Sequence, residues 1–342
     1  MLGLVSNARI PALAALTVIA SGTAVALATT AGTNGRIAFR RYADARQTSG
    51  AVFTMNVDGG DVRQITHPPA RTVDEQPDWS PDGKRLTFYN CQATCYVWVV
   101  NGDGTGRRRL TRCGHAETPS GVPKDCEDGQ FASFAPDGQH VTFTRSTGRV
   151  RHFKKFDYDQ IEHSAIGIVG IDGKGGREIH RLPRYRGDAR WPQVSPNSQQ
   201  IVYELASSPL GKPPFGHGLF VLNVDGTGLH RITPWSLHAG DGPDWAPDSS
   251  RILFRSNEDT NKQSQYYTVR PDGTGLTQLT HFPRGTKLFA ATFSPDGSQI
   301  VFARGDAKGR GDLWTMNADG TSPKPLLQAP AWDSAPDWGA GG

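Results

Sequence analysis

The sequence predicts an all-β fold, a six-bladed β-propeller with four strands per blade, and two recurring phrases carry that expectation. The first is Trp79-Ser-Pro-Asp-Gly-Lys-Arg-Leu-Thr-Phe88, which returns with variations at Phe134–Phe143, Val194–Tyr203, Trp245–Phe254 and Phe293–Phe302. The second is an apolar alternating run that ends in Asp-Gly, at Asp58-Gly59, Asp103-Gly104, Asp172-Gly173, Asp225-Gly226, Asp272-Gly273 and Asp319-Gly320. Six units result. A repeat of roughly 45 to 60 residues with strand-like contents is the mark of a propeller, in which each unit supplies one blade around a central channel.

The elements follow in order within the second unit. Pro77 to Ser80 reads as a short first strand. Pro81-Asp82-Gly83 is a turn, since proline presets φ and glycine accepts positive φ. Arg85 to Tyr89 is the second strand, Tyr96 to Asn101 alternates as the third, and Arg108 to Thr111 is the outermost one. The chain ends predict how the ring shuts. The first unit opens at Gly35-Arg36-Ile-Ala-Phe39, which is second-strand in character, and the orphan Ala335-Pro336-Asp337-Trp338-Gly339 supplies a first strand. The C-terminal strand is therefore expected to join the first blade and remove two exposed sheet edges.

Arg9 precedes an uncharged stretch from Ile10 through Ala28, and Ala26-Leu27-Ala28 has the small-x-small form that signal peptidase accepts. Residues 1–28 are expected to be a signal peptide. A membrane anchor is the other reading, disfavoured because Ala, Gly, Thr and Ser dilute the stretch. Residues 29–342 then form one propeller domain, exported to the periplasm, cell envelope or medium. All four cysteines, Cys91, Cys95, Cys113 and Cys126, fall in the second unit and the connection after it. In an oxidising compartment they read as two disulfides, preferably Cys91 with Cys95 and Cys113 with Cys126, one of three connectivities. A zinc site built from the same thiolates with His115 is the sharper alternative, but the spacing matches no ribbon or finger. The net charge of +4 is too mild to indicate nucleic acid.

The two phrases resemble those of the TolB-type propellers, a branch of the WD-repeat-like folds. Trp79, Trp245 and Trp338 with their Pro-Asp neighbours carry the likeness, as do Met55-Asn-Val-Asp58-Gly59, Leu222-Asn-Val-Asp-Gly-Thr-Gly228 and Met316-Asn-Ala-Asp-Gly320. Val194 in place of the aromatic and Pro196-Asn197-Ser198 without its glycine depart from the pattern. The resemblance covers the chain after the leader. It implies a propeller that binds proteins at the cell envelope, here expected without the N-terminal α/β domain of TolB. Dipeptidyl-peptidase and tricorn propellers are similar too, but their chemistry lives in a separate hydrolase domain.

In a propeller the Ser-Pro-Asp and Asp-Gly turns share one face and the remaining loops the other. The first are short and alike. The other face receives segments 41–51, 145–163, 204–217 and 256–264 with crossovers 67–76, 112–130 and 234–242. Long loops on a rigid scaffold are the usual seat of recognition. There Arg149, Arg151, Lys154 and Lys155 gather with Arg181, Arg184, Arg186 and Arg190, which suits an anionic partner; Asp157, Asp159, Glu162 and Asp188 make a solvated, partly neutralised loop the blander reading. Asp74, Asp241 and Asp333 precede first strands at similar offsets, as cation or sugar ligands or, in the plainer reading, as caps on local amides. His67 and His281 occupy corresponding crossovers near the channel, with His115 and His238 also candidates.

Each Asp-Gly turn offers one carboxylate, far short of a calcium loop. No nucleophile elbow, zincin helix or phosphate loop occurs, so no cofactor or metal is expected. The expected function is an exported, monomeric binding or scaffolding module with an envelope protein as partner, an anionic glycan second. The alternative is a secreted carbohydrate-active lyase or hydrolase that uses the channel.

Overall fold

The computed structural model describes residues 32–44, 46–91, 94–112, 128–153, 156–184, 186–207, 216–256, 264–305 and 310–341. The expected leader and the residues Cys113, His115, Cys126, Lys154 and Lys155 lie outside them. The described chain is all-β, with one 3-10 turn at Trp235–Leu237. Among the described residues no helix is long and apolar enough to cross a membrane.

The first strands are β1 (Asn34–Tyr42), β2 (Gly50–Met55) and β3 (Arg63–Gln64). The second unit forms β4 (Val73–Trp79), β5 (Arg85–Cys91), β6 (Cys95–Asn101) and β7 (Arg108–Arg109), and the third β8 (Asp128–Phe134), β9 (His140–Phe153), β10 (Phe156–Gly170) and β11 (Arg177–Arg181). Then come β12 (Asp188–Val194), β13 (Gln200–Ser207), β14 (Gly216–Asn223) and β15 (His230–Arg231), followed by β16 (Ala239–Trp245), β17 (Ile252–Ser256), β18 (Tyr266–Val269) and β19 (Thr277–Gln278). The last unit is β20 (Leu288–Phe293), β21 (Gln299–Gly305), β22 (Gly311–Asn317) and β23 (Lys324–Leu327), and β24 (Trp332–Ala340) ends the chain.

Hydrogen bonding sorts these strands into four four-stranded antiparallel sheets and one of eight, and none closes on itself. The eight-stranded sheet is two four-stranded runs, β24-β1-β2-β3 and β4 to β7, that touch at the single parallel pair Gly50 and Val73. The C-terminal β24 lies antiparallel to β1, with Ile37 opposite Trp338 and Tyr42 opposite Trp332.

Two strand assignments shift. β4 begins at Val73 rather than Pro77, because Val73-Asp-Glu pairs with Tyr89 to Cys91 although its composition carries no strand alternation. Segment 145–163, expected as an irregular insertion, instead prolongs β9 and β10 into a hairpin arm with Phe153 opposite Phe156. Its Val150, Phe153, Phe156 and Tyr158 are residues that favour a pleated strand.

The core lies between consecutive sheets. Trp79 packs with Ala38, Val52 and Ile65; Phe134 with Val97, Val99 and Leu110; Trp245 with Val202, Leu219 and Ile232; Phe293 with Leu253, Tyr266 and Phe282; and Trp338 with Val301, Ala303 and Leu313. Those five aromatics are at most 8 % exposed, and burying each contributes about 1.5–3 kcal/mol. The Asp-Gly turns dock the sheets together at the periphery. Gly320 sits at φ 86°, and a Cβ there would stand 2.1 Å from the Leu279 carbonyl oxygen of the preceding unit.

Candidate functional site

The first strand of every unit faces a common channel, and each carries a β-bulge. The ladder slips between Glu75 and Asp78, Gln130 and Ser133, Arg190 and Gln193, Gly240 and Asp244, Leu288 and Ala291, and on β24 between Ser334 and Asp337, opposite Arg40 and Ala38 of β1. A bulge re-aims one side chain out of the alternation. Glycine takes its left-handed backbone freely, as Gly242 does at φ 82°, yet Gln76, Phe131 and Trp191 adopt it at φ 46°, 51° and 50°. That costs roughly 1 kcal/mol or more for each side chain-bearing residue.

Contacts across the channel offset that strain. Trp191 Nε1 donates to Gln76 Oε1 at 2.8 Å, the Phe131 ring lies 4.3 Å from that of Trp191, and Tyr89 meets Phe131 edge-on at 5.5 Å. These side chains span the channel on the side of the long loops. Beneath them is a chamber of about 90 Å³, lined by three residues from each of the six first strands.

At the floor of the chamber the first strands present Asp337, Asp78, Ser133, Gln193, Asp244 and Thr292. The long ones fasten neighbouring units together. Asp337 Oδ2 accepts the Trp79 amide at 2.6 Å, Asp78 Oδ1 the Phe134 amide at 2.7 Å, Gln193 Oε1 the Trp245 amide at 2.9 Å, and Asp244 Oδ2 the Phe293 amide at 2.7 Å. Ser133 and Thr292 hydroxyls donate to Asp78 and Asp244, as does the Gln193 amide to Asp244. Burial pushes the Asp244 carboxyl up to about 6 and that of Asp337 to about 7, and it raises Asp78 well above the usual carboxylate range, with Asp337 adding repulsion. Asp78 and Asp337, both half-buried, line this chamber and also a smaller pocket beside Trp79, Ser80 and Gly339.

A second polar belt surrounds the mouth on the long-loop side. Arg40 pairs with Glu75, bonds Ser334 Oγ at 2.7 Å and lies over the Tyr42 ring. Arg190 pairs with Asp188 at 2.8 Å, and Arg255 pairs with Asp241 and bonds the Leu288 carbonyl at 2.6 Å. Glu204 accepts the Asp241 amide at 2.7 Å and contacts His217 Nδ1 at 2.6 Å. Burial lowers the pKa of the Arg40 guanidinium and raises that of the Tyr89 hydroxyl.

The residues singled out from sequence scatter around this site. Arg190 and Asp241 stand at the mouth. Asp74 and Asp333 are fully buried close by, but they hold side chains rather than local amides: Asn90 donates to Asp74 at 2.6 Å and Arg107 approaches it, while Arg41 grips Asp333 through two bonds of 2.7 Å. His67, His281, Arg184 and Arg186 are exposed on the surface, and neither histidine lines the chamber. His238 is half-buried at the end of the 3-10 turn, at φ 46°. Arg149 and Arg151 fall on the β9 arm, opposite Gln160 and Tyr158. Cys91 and Cys95 face one another in the β5–β6 ladder and form a disulfide. Sequence reasoning missed Asp78, Asp244 and Asp337, although each sits in a Pro-Asp-Trp triplet that recurs three times. It also missed Gln76, Phe131 and Trp191, which no local pattern marks.

No family model matches the chain. In sequence it is 28 % identical over 288 residues to a TolB homolog of Chlorobium luteolum, covering 84 % of this chain and 56 % of that protein. It is 25 % identical over 236 residues to an uncharacterized protein of Agrobacterium fabrum, covering 68 % and 66 %. In structure it matches TolB from Acinetobacter baumannii with a TM-score of 0.67 at 16 % identity, over 90 % of this chain and 67 % of that one. The fold is that of the TolB propeller. The chain spans 66 % or less of the length of these curated relatives. Among the described residues no three His, Cys, Asp or Glu side chains are grouped to hold a metal ion.

Proposed function

We propose that this chain is an exported six-bladed propeller, shut by the pairing of β24 with β1, that acts as a protein-binding module at the cell envelope. The observation that carries this reading is the inequality of the two faces. On one, carboxylates tie the turns into the same compact form: Asp58, Asp103, Asp172, Asp225, Asp272 and Asp319 each accept the amide two residues on at 2.8–2.9 Å, and a threonine hydroxyl adds a bond at Asp103, Asp225, Asp272 and Asp319. On the other, the β9–β10 arm and the ring of charged side chains at the mouth give a surface with distinctive shape and charge. A rigid scaffold with one elaborated face is built for recognition. Similarity to TolB homologues supports a protein partner in the envelope, and Arg149 and Arg151 on the arm support an acidic surface on that partner or an anionic glycan.

In the same reading residues 1–28 are a cleaved leader, residues 29–342 are the propeller, and Cys113 pairs with Cys126 beside the bridged Cys91 and Cys95. The test is capture from an envelope extract by the mature chain, beside a folded variant whose residues 146–156 are replaced by a short Gly-Ser linker. A protein held by the first and lost by the second supports the reading. Equal capture by both excludes the arm, and retention of a glycan alone moves the assignment to carbohydrate recognition.

A further inference from the structure

We infer that Asp78 and Asp337 form a proton-dependent clasp that holds the C-terminal strand β24 onto β4. Asp337 belongs to β24 and accepts the Trp79 amide of β4, while Asp78 of β4 accepts the Phe134 amide of β8. The two carboxyls stand on neighbouring first strands around one chamber, with Asp244 as the third acid. The groups facing them are neutral: Ser133 from β8, Gln193 from β12 and Thr292 from β20. In the ladders, Thr87 of β5 stands opposite Asp78 and Ala38 of β1 opposite Asp337. None of the residues lining the chamber is Lys, Arg or His.

Several carboxylates enclosed without a cation are costly, because each loses hydration and repels the others. A carboxyl that keeps its proton avoids that cost. Its carbonyl oxygen still accepts the backbone amide, so the bond from Trp79 survives protonation. Ionisation of both acids leaves each amide bond formally intact but sets like charges on β4 and β24 against one another. The direction of the shifts agrees, since all three acids bind their protons more tightly than ordinary carboxyls.

The sign follows from linkage. A carboxyl whose pKa is raised by folding favours the folded state below that raised value, and the advantage fades as pH climbs through it. β24 is therefore held more firmly in mildly acid than in mildly alkaline solution.

The experiment compares the wild type with Asp78→Asn/Asp337→Asn between about pH 5 and about pH 8. The wild-type melting temperature should fall by on the order of 5 °C across that range, and the variant should lose most of the slope. Hydrogen exchange, corrected for intrinsic rate, should show the Trp79 amide and β24 losing protection over the same interval in the wild type. Equal slopes in both proteins would overturn the clasp, as would unchanged protection of β24. Should the double variant not fold, ¹³Cγ labelling of aspartate in the wild type decides: a carboxyl at Asp78 or Asp337 that titrates near neutrality supports the inference, and ionisation of both by about pH 5 overturns it.

Discussion

Aspartate serves this chain in two places with opposite electrostatics. In the channel, Asp78, Asp244 and Asp337 accept the amide of the next unit and hold their protons tightly, because burial outweighs the bonds they make. At the peripheral turns, Asp103, Asp225, Asp272 and Asp319 accept an amide just two residues ahead, in open solvent, and are pulled below the ordinary carboxylate range by a threonine hydroxyl and by that amide, the amide leading at Asp272. The acceptor chemistry is the same. What differs is water: it remains to solvate the turn carboxylates and is scarce around the channel ones. The channel acids join units far apart in sequence, whereas the turn acids shape a single hairpin.

The largest effect expected from breaking the channel belt is removal of the strand that carries Asp337. Deleting residues 333–342 withdraws the buried Trp338 and Asp333 along with that acceptor. The melting temperature should fall by on the order of 10 °C, or cooperative unfolding should vanish. A loss of a degree or two in calorimetry would show that β24 does little for the ring.

Next comes Asp244→Ala. The Phe293 amide, the Thr292 hydroxyl and the Gln193 amide all lose their acceptor inside the protein, and the cost should be roughly 3 kcal/mol in urea denaturation. Asp244→Asn keeps one carbonyl acceptor and should retain most of that stability. Equal losses for the two would mean that the belt is not held together by accepted amides.

The glycines that follow the turn acids permit a sharper contrast. Gly320→Ala meets both a left-handed backbone and the Leu279 carbonyl, and should cost roughly 3 kcal/mol. Gly175, at φ 67°, has nothing within 4 Å of its would-be Cβ. Gly175→Ala should then cost only about 1 kcal/mol. Parity between the two would locate the penalty in backbone conformation alone, and the docking of one unit onto the next would not contribute.

How much of this was legible follows the same division. The Asp-Gly turns could be read because every determinant lies within a few residues of sequence: the acid, the glycine and the threonine that follows. The aromatic first-strand positions were legible too, since Trp79 and its counterparts recur at a fixed place in each unit. The channel acids were equally repeated, but nothing local says that Asp78 reaches Phe134, 56 positions away. Asp74, Asp241 and Asp333 drew notice by their offset before the first strands, and their partners come from elsewhere in the sheets: Arg107 from the turn before β7, Arg255 from β17 and Arg41 from β1. Least legible were Gln76, Phe131 and Trp191. A bulge is decided by how two strands meet, so the left-handed backbone that turns these side chains into the channel leaves no mark in the sequence.

The smallest expected effect tests the turn acids as a set. Their pKa values are lowered by folding, so their stabilisation is fully present above the ordinary carboxylate pKa and is lost as pH falls through the lower, folded values. The channel acids contribute in the opposite sense, losing their advantage as pH rises toward neutrality. Replacing Asp103, Asp225, Asp272 and Asp319 together by Ala should therefore lower the melting temperature slightly at neutral pH and flatten its decline in strong acid. The fall between mildly acid and mildly alkaline solution should stay as steep as in the wild type. Melting temperatures of both proteins across the full pH range separate these limbs. If the quadruple change altered the neutral limb instead, the turn acids and the channel acids would be coupled through the blades, and their separation by solvent would not hold.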